Sequence, residues 1–199
     1  MRHVGLNPGD RPEGVLRSLL ELQAETGAND FKQSYDGSKK ARGELLKCIM
    51  AFANSQDGGF LVFGVAETAS GAYEVTGLTP VEIKELDQTK IADALAKHCS
   101  EVPVFVVHRV PIDDHTVVMV AVNEIDVGPV VCTNQLADEK NRLVLRRGAI
   151  YTRSQSAKCD EMVSAADASP ADVPPAPPDE PFLAEIGDAS TVGEVDAVR

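Results

Sequence analysis

Residues 51–65 read AFANSQDGGFLVFGV, and this stretch decides how the chain is expected to fold. The residues before it extend an amphipathic pattern that predicts a helix over 39–55. The apolar run after Gly58 and Gly59 is continuous rather than alternating, which is typical of a strand buried on both faces. An acid and two glycines between helix and strand predict a tight turn whose backbone can approach a ligand closely. We therefore expect a helix, a turn and a buried strand at the centre of the domain.

Patterns on both sides of this unit predict further helices and strands. Upstream, apolar spacing predicts a helix from Pro12 that ends by Gly27. Downstream, Thr79 opens a single predicted helix over 79–99 with capping-box spacing. Because strands outnumber helices and lack regular alternation with them, we expect an α+β fold: a single domain with a mixed or antiparallel sheet and two to four helices. The strand patterns lie at 31–35, 74–78, 104–110, 116–122 and 143–153, with 104–122 read as a hairpin.

The formal charge of −12 is distributed unevenly along the chain. Residues 155–199 carry ten acidic and two basic side chains, a net −8, whereas residues 1–154 carry 21 acidic and 17 basic ones, a net −4. Six of the twelve prolines lie between Pro170 and Pro181, a density that opposes helix and favours an extended, solvated segment. We expect an N-terminal extension at 1–12, a domain at 13–165 and a Pro-rich acidic disordered tail at 166–199. The tail is a candidate for binding a protein partner or for masking basic patches.

Several function classes lack the residues that they need. The chain has no GxxxxGK[ST] motif for a P-loop and no GxSxG elbow for a serine hydrolase. Its four cysteines have no CxxC spacing and its four histidines show no paired ligand spacing, which argues against zinc. No window approaches the roughly 18 to 20 apolar residues of a membrane span, and the N terminus does not resemble a signal peptide. We expect a cytoplasmic protein without a membrane partner.

Two segments contain acidic residues that are candidates for a functional site. On a strand, the period of two places Asp30 and Lys32 on one face and turns Phe31 toward the core. Asp57 precedes the glycine pair in the predicted turn. Spacing alone leaves two plainer interpretations open, a solvated ion pair at the first segment and a helix cap with a turn at the second.

Basic side chains cluster at two places, where they could contact phosphates. One cluster precedes the second helix, and the other surrounds the last strand, where Tyr151 is available for stacking or for core packing. On a continuous strand, Arg147, Tyr151 and Arg153 would share a face and Arg146 would point away. A solvated charged surface is the alternative interpretation. The candidate nucleic-acid-binding residues are Lys39, Lys40, Arg42, Arg142, Arg146, Arg147, Tyr151 and Arg153.

Four pieces of the chain together resemble the Schlafen-AlbA domain, a divergent AlbA-like family credited with DNA binding. They are Asp30-Phe31-Lys32, the run 51–65, Gly77-Leu78 and RGAIYTR at 147–153, and they occur in the family's order over roughly 13–153. The resemblance implies nucleic-acid binding, to DNA or RNA, and a role as a transcriptional or defence-related regulator.

Some Schlafen relatives are similar in having a metal-dependent endoribonuclease site built from three carboxylates. Carried over by position, the resemblance implies Glu25, Asp30 and Asp57 as metal ligands and catalytic residues, with Lys32 as a further catalytic residue. The implied cation is Mg²⁺ or Mn²⁺, since hard divalent cations take oxygen ligands. This chain departs from the pattern twice: Asp30 stands where Glu is usual, and NSQDGG is one residue longer than the usual turn.

The leading expectation is therefore a nucleic-acid-binding protein. Two alternatives from other classes stay open, a divalent-metal-dependent ribonuclease and a protein-interaction adaptor that acts through the acidic tail. Formation of a homo-oligomer is also left open by the sequence.

Overall fold

The computed structural model describes residues 11–154 and 158–162. Most of the N-terminal extension expected at 1–12 and the whole tail expected at 166–199 lie outside these residues. Helices and strands in the described part are α1 Pro12–Glu21, β1 Asn29–Lys32, α2 Lys39–Ala53, β2 Gly59–Phe63, β3 Val65–Glu67, β4 Tyr73–Val75, α3 Pro80–Glu85, α4 Gln88–His98, β5 Phe105–Ile112, β6 His115–Val122, β7 Leu136–Ala137, β8 Leu143–Leu145, β9 Ile150–Arg153 and β10 Cys159–Met162.

A four-stranded mixed sheet with the order β1-β2-β6-β5 forms the centre of the domain. β1 pairs with β2 in parallel, with Asp30 opposite Leu61, and the other two pairings are antiparallel. Three further pairs of short strands, β3 with β4, β7 with β8 and β9 with β10, complete the described sheets. The α+β fold with a mixed sheet is thus confirmed, and so is the hairpin predicted over 104–122, which is β5 and β6.

β2 is buried on both faces, as its continuous apolar run predicts. Leu61 and Phe63 belong to the core that also contains α2 and α4 residues, whereas Phe60 and Val62 belong to the core beneath α1. The run ends at Phe63 because Gly64 adopts a left-handed φ of 96°, and the chain continues as β3 in another pair. Since both faces are covered, the sheet holds the turn before β2 and the neighbouring β1 in fixed positions.

The single helix predicted over 79–99 is wrong, because the structure has two. The capping box is present, since the Thr79 side chain accepts the N–H of Glu82, whose carboxylate accepts the N–H of Thr79. The chain then leaves the helical conformation at Leu86, with ψ of 51°. Asp87 begins α4 because its side chain accepts the N–H groups of Thr89 and Lys90 in the first turn. An aspartate is a strong N-cap, so it starts a new helix here.

The strand predicted over 143–153 is also divided. β8 ends at Leu145, and Gly148, with φ of 82°, forms a turn before β9 begins at Ile150. Arg147 lies in this turn rather than on a strand. The shared strand face predicted for Arg147, Tyr151 and Arg153 therefore holds only for the last two.

Asn54, the last residue of the AFAN sequence, connects the end of α2 to two distant segments. Its Oδ1 accepts the N–H of Val130 at 2.7 Å, and its Nδ2 donates to the carbonyls of Val130 and Tyr151, each at 2.9 Å. The side chain thus supplies hydrogen bonds to three backbone groups of two segments that are distant in sequence.

Asn54→Ala is expected to lower the free energy of unfolding by about 2–4 kcal/mol, because three partly buried backbone groups each lose a hydrogen bond. Urea denaturation followed by circular dichroism measures this loss. The control is Gln56→Ala, an exposed side chain in the same turn, for which we expect a change within about 0.5 kcal/mol. Equal effects of the two substitutions would show that the Asn54 hydrogen bonds do not stabilise the fold.

Candidate functional site

A cleft of about 340 Å³ opens beside β1, between α2 and the hairpin of β9 and β10. We call it the charged cleft, because seven of its nine lining residues are ionic. A larger cleft of about 430 Å³ between α2 and α4 contains Arg42 but none of the predicted carboxylates. The charged cleft is lined by Glu25, Asp30, Lys32, Glu44, Lys47, Cys48, Arg153, Lys158 and Cys159.

Asp30 is the buried anion of the charged cleft. Its side chain is 4% exposed, and both carboxylate oxygens lie within 2.9 Å of the Lys32 Nζ. The Arg153 Nη1 lies 3.8 Å from Oδ1. Phe31 turns to the opposite core, which confirms the alternation predicted for this strand. The cost of burying a carboxylate is therefore offset by two neighbouring cations.

Arg153 is the buried cation of the same site, with a side chain only 2% exposed. Its Nη2 donates to the carbonyls of Thr26 and Asn29 at 3.0 Å each, and its guanidinium lies 4.8 Å from the centroid of the Phe52 ring. Arg153 thus ties the segment before β1 to β9. These contacts and the burial of the side chain indicate a role for Arg153 in the fold, so the structure does not support its predicted contact with nucleic acid.

Tyr151 also packs in the core rather than on the surface. It is 1% exposed, and its hydroxyl accepts the backbone N–H of Arg146 at 2.7 Å. Burial raises the pKa of Tyr151 to about 12. Of the two roles considered for this ring, core packing is the one that the structure shows, and the burial of the ring does not support the predicted contact with nucleic acid.

Two more side chains set the charge at the mouth of the cleft. Glu25 accepts the N–H of Phe31 at 2.8 Å, yet burial, with help from the charge of Asp30, raises the pKa of Glu25. Burial disfavours the charged form of Lys32, but attraction to Asp30 outweighs it and raises the pKa of Lys32. Lys32 is therefore cationic at neutral pH and, with its side chain 41% exposed, reaches solvent.

Asp57 is not among the residues that line the charged cleft. It lies in the turn between α2 and β2 with a left-handed φ of 67°, and its N–H donates to a Glu124 carboxylate oxygen at 2.9 Å. Within 11–154 and 158–162, no three His, Cys, Asp or Glu residues form a group that could hold a metal ion. In addition, the Lys32 ammonium already contacts the oxygens of Asp30. The cleft residues therefore do not fit the implied Mg²⁺ or Mn²⁺, and the metal-dependent ribonuclease stays a prediction that this geometry does not support.

Most of the other predicted basic residues are exposed and lie beside carboxylates. The start of α2 contacts the β7–β8 hairpin, where the Glu139 carboxylate accepts the N–H of Lys39 at 2.6 Å. Arg147 is exposed in its turn. Ion pairs join Lys40 to Glu44 at 3.5 Å, Arg142 to Asp138 at 2.7 Å and Arg146 to Glu161 at 3.6 Å.

Sequence reasoning missed two lysines of the charged cleft. Lys47 lies on α2 with its Nζ 5.2 Å from the centroid of the Tyr151 ring, and Lys158 is exposed just before β10. Helical spacing could have revealed Lys47, because Lys40, Glu44 and Lys47 recur at intervals that place them on one face of a helix. No comparable pattern marks Lys158. We call Lys32, Lys47 and Lys158 the lysine rim of the cleft.

Residues 25–160 match the model of the family described as Schlafen, AlbA_2. The chain belongs to this family. The resemblance inferred from the sequence is thereby confirmed, and the matched range of this AlbA_2 domain contains every residue that lines the charged cleft. Membership indicates a nucleic-acid-related role.

Among the described residues, no helix is both long and apolar enough to cross a membrane.

The AlbA_2 domain is also similar to solved structures. A crystal structure of the DIP2311 protein from Corynebacterium diphtheriae aligns with 18% identity and a TM-score of 0.44 over 74% of this chain, which spans about a quarter of that protein. A solution structure from Nitrosomonas europaea, the N-terminal domain of a protein related to the ATP-dependent DNA helicase RecG, aligns with 23% identity and a TM-score of 0.44. That alignment covers 63% of this chain and 76% of the domain. No curated protein matches the chain significantly.

Proposed function

We propose that this protein binds DNA or RNA in the cytoplasm and that the lysine rim of the charged cleft contacts the phosphates. The observation that carries the proposal is the convergence of Lys32, Lys47 and Lys158 on one cleft in a chain of net charge −12. Phosphate contacts supply most of the sequence-independent affinity of nucleic-acid-binding proteins, and lysines provide them as point charges.

The charge balance of the cleft favours an anion at its mouth. The buried carboxylate of Asp30 is compensated by the buried guanidinium of Arg153 and by Lys32, and Glu44 pairs with Lys40 outside the cleft. The Glu25 carboxylate is held by the N–H of Phe31, which it accepts at 2.8 Å. Lys47 and Lys158 are therefore left to attract a phosphate backbone.

The test compares the wild-type chain with the double variant Lys47→Ala and Lys158→Ala in fluorescence anisotropy, using single- and double-stranded DNA and RNA probes across a salt series. Removing two phosphate contacts is expected to weaken binding about equally for every probe sequence. On duplex DNA it is also expected to reduce the slope of log affinity against log salt by about 2.

Lys84→Ala is the matched control, because Lys84 is an exposed lysine on α3 outside the charged cleft. This variant is expected to keep nearly all of the affinity. Failure of every probe to bind at low salt would refute nucleic-acid binding itself, whereas equal behaviour of the double variant and the control would refute the lysine rim as the contact surface.

A further inference from the structure

Two thiols that are far apart in sequence meet in the wall of the charged cleft. Cys48 on α2 and Cys159 on β10 are 111 residues apart in sequence, yet their Sγ atoms lie 2.8 Å apart. Both are free thiols; Cys48 is buried, and Cys159 is partly exposed to the cleft. A disulfide bond is about 2.05 Å long, so bonding requires the two sulfurs to approach by only about 0.8 Å.

The surroundings of the two sulfurs give them different chemistry. The Arg153 Nη1 donates a hydrogen bond to the Cys159 Sγ at 3.2 Å. Hydrogen bonding with Cys48 and the nearby guanidinium lower the pKa of Cys159 to about 7, against the opposing effect of burial. Hydrogen bonding with Cys159 and burial instead raise the pKa of Cys48 well above its ordinary value. Because the thiolate is the nucleophile, the lower pKa favours Cys159 over Cys48 as the attacking thiol at neutral pH.

We propose that Cys48 and Cys159 form a peroxide-reactive thiol pair that closes to a reversible disulfide between α2 and β10. The Cys159 thiolate attacks one oxygen of hydrogen peroxide, the O–O bond breaks, and the departing hydroxide takes up a proton to become water. Cys159 is then a sulfenic acid. The Cys48 sulfur attacks it, loses its proton, and displaces hydroxide, which leaves as a second water. Two thiols are oxidised by two electrons while one peroxide is reduced to two waters.

The proposed bond would fix one wall of the charged cleft. It would join β10 covalently to α2 and close a chain loop of about 110 residues, which strongly restricts the unfolded state. A dithiol reductant reverses the bond by thiol–disulfide exchange. The inference rests on the two sulfurs and Arg153 and does not require the nucleic-acid-binding function proposed above.

Peptide mapping of the full chain tests the proposal directly, because trypsin places each cysteine in a separate peptide: 48–84, 98–109, 110–140 and 159–199. The purified protein is treated with hydrogen peroxide at neutral pH, blocked with an alkylating agent, and digested without reductant. Mass spectrometry is expected to find peptide 48–84 joined to peptide 159–199 and to lose this product after treatment with dithiothreitol.

Cys99 and Cys132 are the internal control, since they also face each other across a β-bridge and are both buried. Burial raises the pKa of Cys99 to about 12 and also raises that of Cys132, so both should stay reduced. The proposal is overturned if the joined peptide does not form, if Cys159 stops at an oxidised acid, or if Cys99 and Cys132 pair as readily.

The variant Cys48→Ala separates the two chemical steps. Without its partner, Cys159 is expected to remain a sulfenic acid that dimedone captures on peptide 159–199, while the joined peptide disappears. Absence of dimedone labelling, with the circular dichroism spectrum unchanged, would overturn the assignment of Cys159 as the residue that reacts with peroxide. The mapping of the wild-type chain decides the proposal if this variant does not fold.

Discussion

Gly58→Ala is expected to lower the free energy of unfolding by about 3–5 kcal/mol, enough to unfold a marginally stable domain. Gly58 follows Asp57 in the turn before β2 and has a left-handed φ of 70°. A residue with a Cβ pays about 1–2 kcal/mol for that conformation. Its Cβ would also lie 2.1 Å from the carbonyl oxygen of Val122. That oxygen belongs to β6, which pairs with β2 at Gly59, so relief of the clash requires the sheet to shift.

Substitutions at two other glycines distinguish the cost of the left-handed conformation from the cost of the clash with Val122. Gly71 has a φ of 81° but no atom within 4 Å of the place that a Cβ would occupy, so Gly71→Ala should show the conformational cost alone, about 1 kcal/mol. Gly14 lies in α1 with open space around it, and Gly14→Ala should stabilise the protein by about 0.5–1 kcal/mol. Urea denaturation of the three variants measures all three changes. A loss for Gly58→Ala no greater than that for Gly71→Ala would show that the close approach to β6 does not matter.

The elements that sequence predicts well are those specified by neighbouring residues. The continuous apolar run of β2 indicated burial on both faces, and the spacing of Thr79 and Glu82 indicated a capping box. The sequence predicted a tight turn at the glycines before β2. It did not predict that Gly58 lies against the carbonyl of Val122. That contact depends on which strand pairs with β2, and no local pattern specifies the partner.

Contacts between distant segments also explain why the sequence predicted only part of the candidate site. The period of a strand was enough to place Asp30 and Lys32 together. The burial of Arg153, by contrast, arises because β9 packs against the end of α2, so an arginine that reads as surface charge becomes a core residue. Cys48 and Cys159 are 111 residues apart in sequence, and no sequence spacing predicts that they lie close together. Sequence thus predicted the strand face of the site but not the residues that close it.

Arg153→Met is expected to lower the free energy of unfolding by about 3–5 kcal/mol, because it removes one partner of a buried ionic group. Asp30 would keep only Lys32 as its counter-charge, and the carbonyls of Thr26 and Asn29 would each lose one of their donors. Urea denaturation provides the measurement. Arg147→Met makes the same chemical change at an exposed position and should stay within about 0.5 kcal/mol of the wild type. Similar losses at the two positions would contradict the structural role assigned to Arg153.

Arg153→Lys tests whether this side chain lowers the pKa of Cys159. The measurement is the pH dependence of Cys159 alkylation, which does not depend on the stability of the fold. Hydrogen bonding with Cys48 and the Arg153 guanidinium together lower the pKa of Cys159 to about 7, so the wild-type rate of alkylation by iodoacetamide should be half-maximal near that pH. Lysine keeps a charge but lacks the planar fork that reaches the sulfur and both carbonyls at once. Weaker stabilisation of the thiolate raises its pKa, so the half-maximal point should move to higher pH and the rate at pH 7 should fall. The rate is read from the labelling of peptide 159–199, and an unchanged pH profile in the folded variant would mean that Arg153 does not activate Cys159.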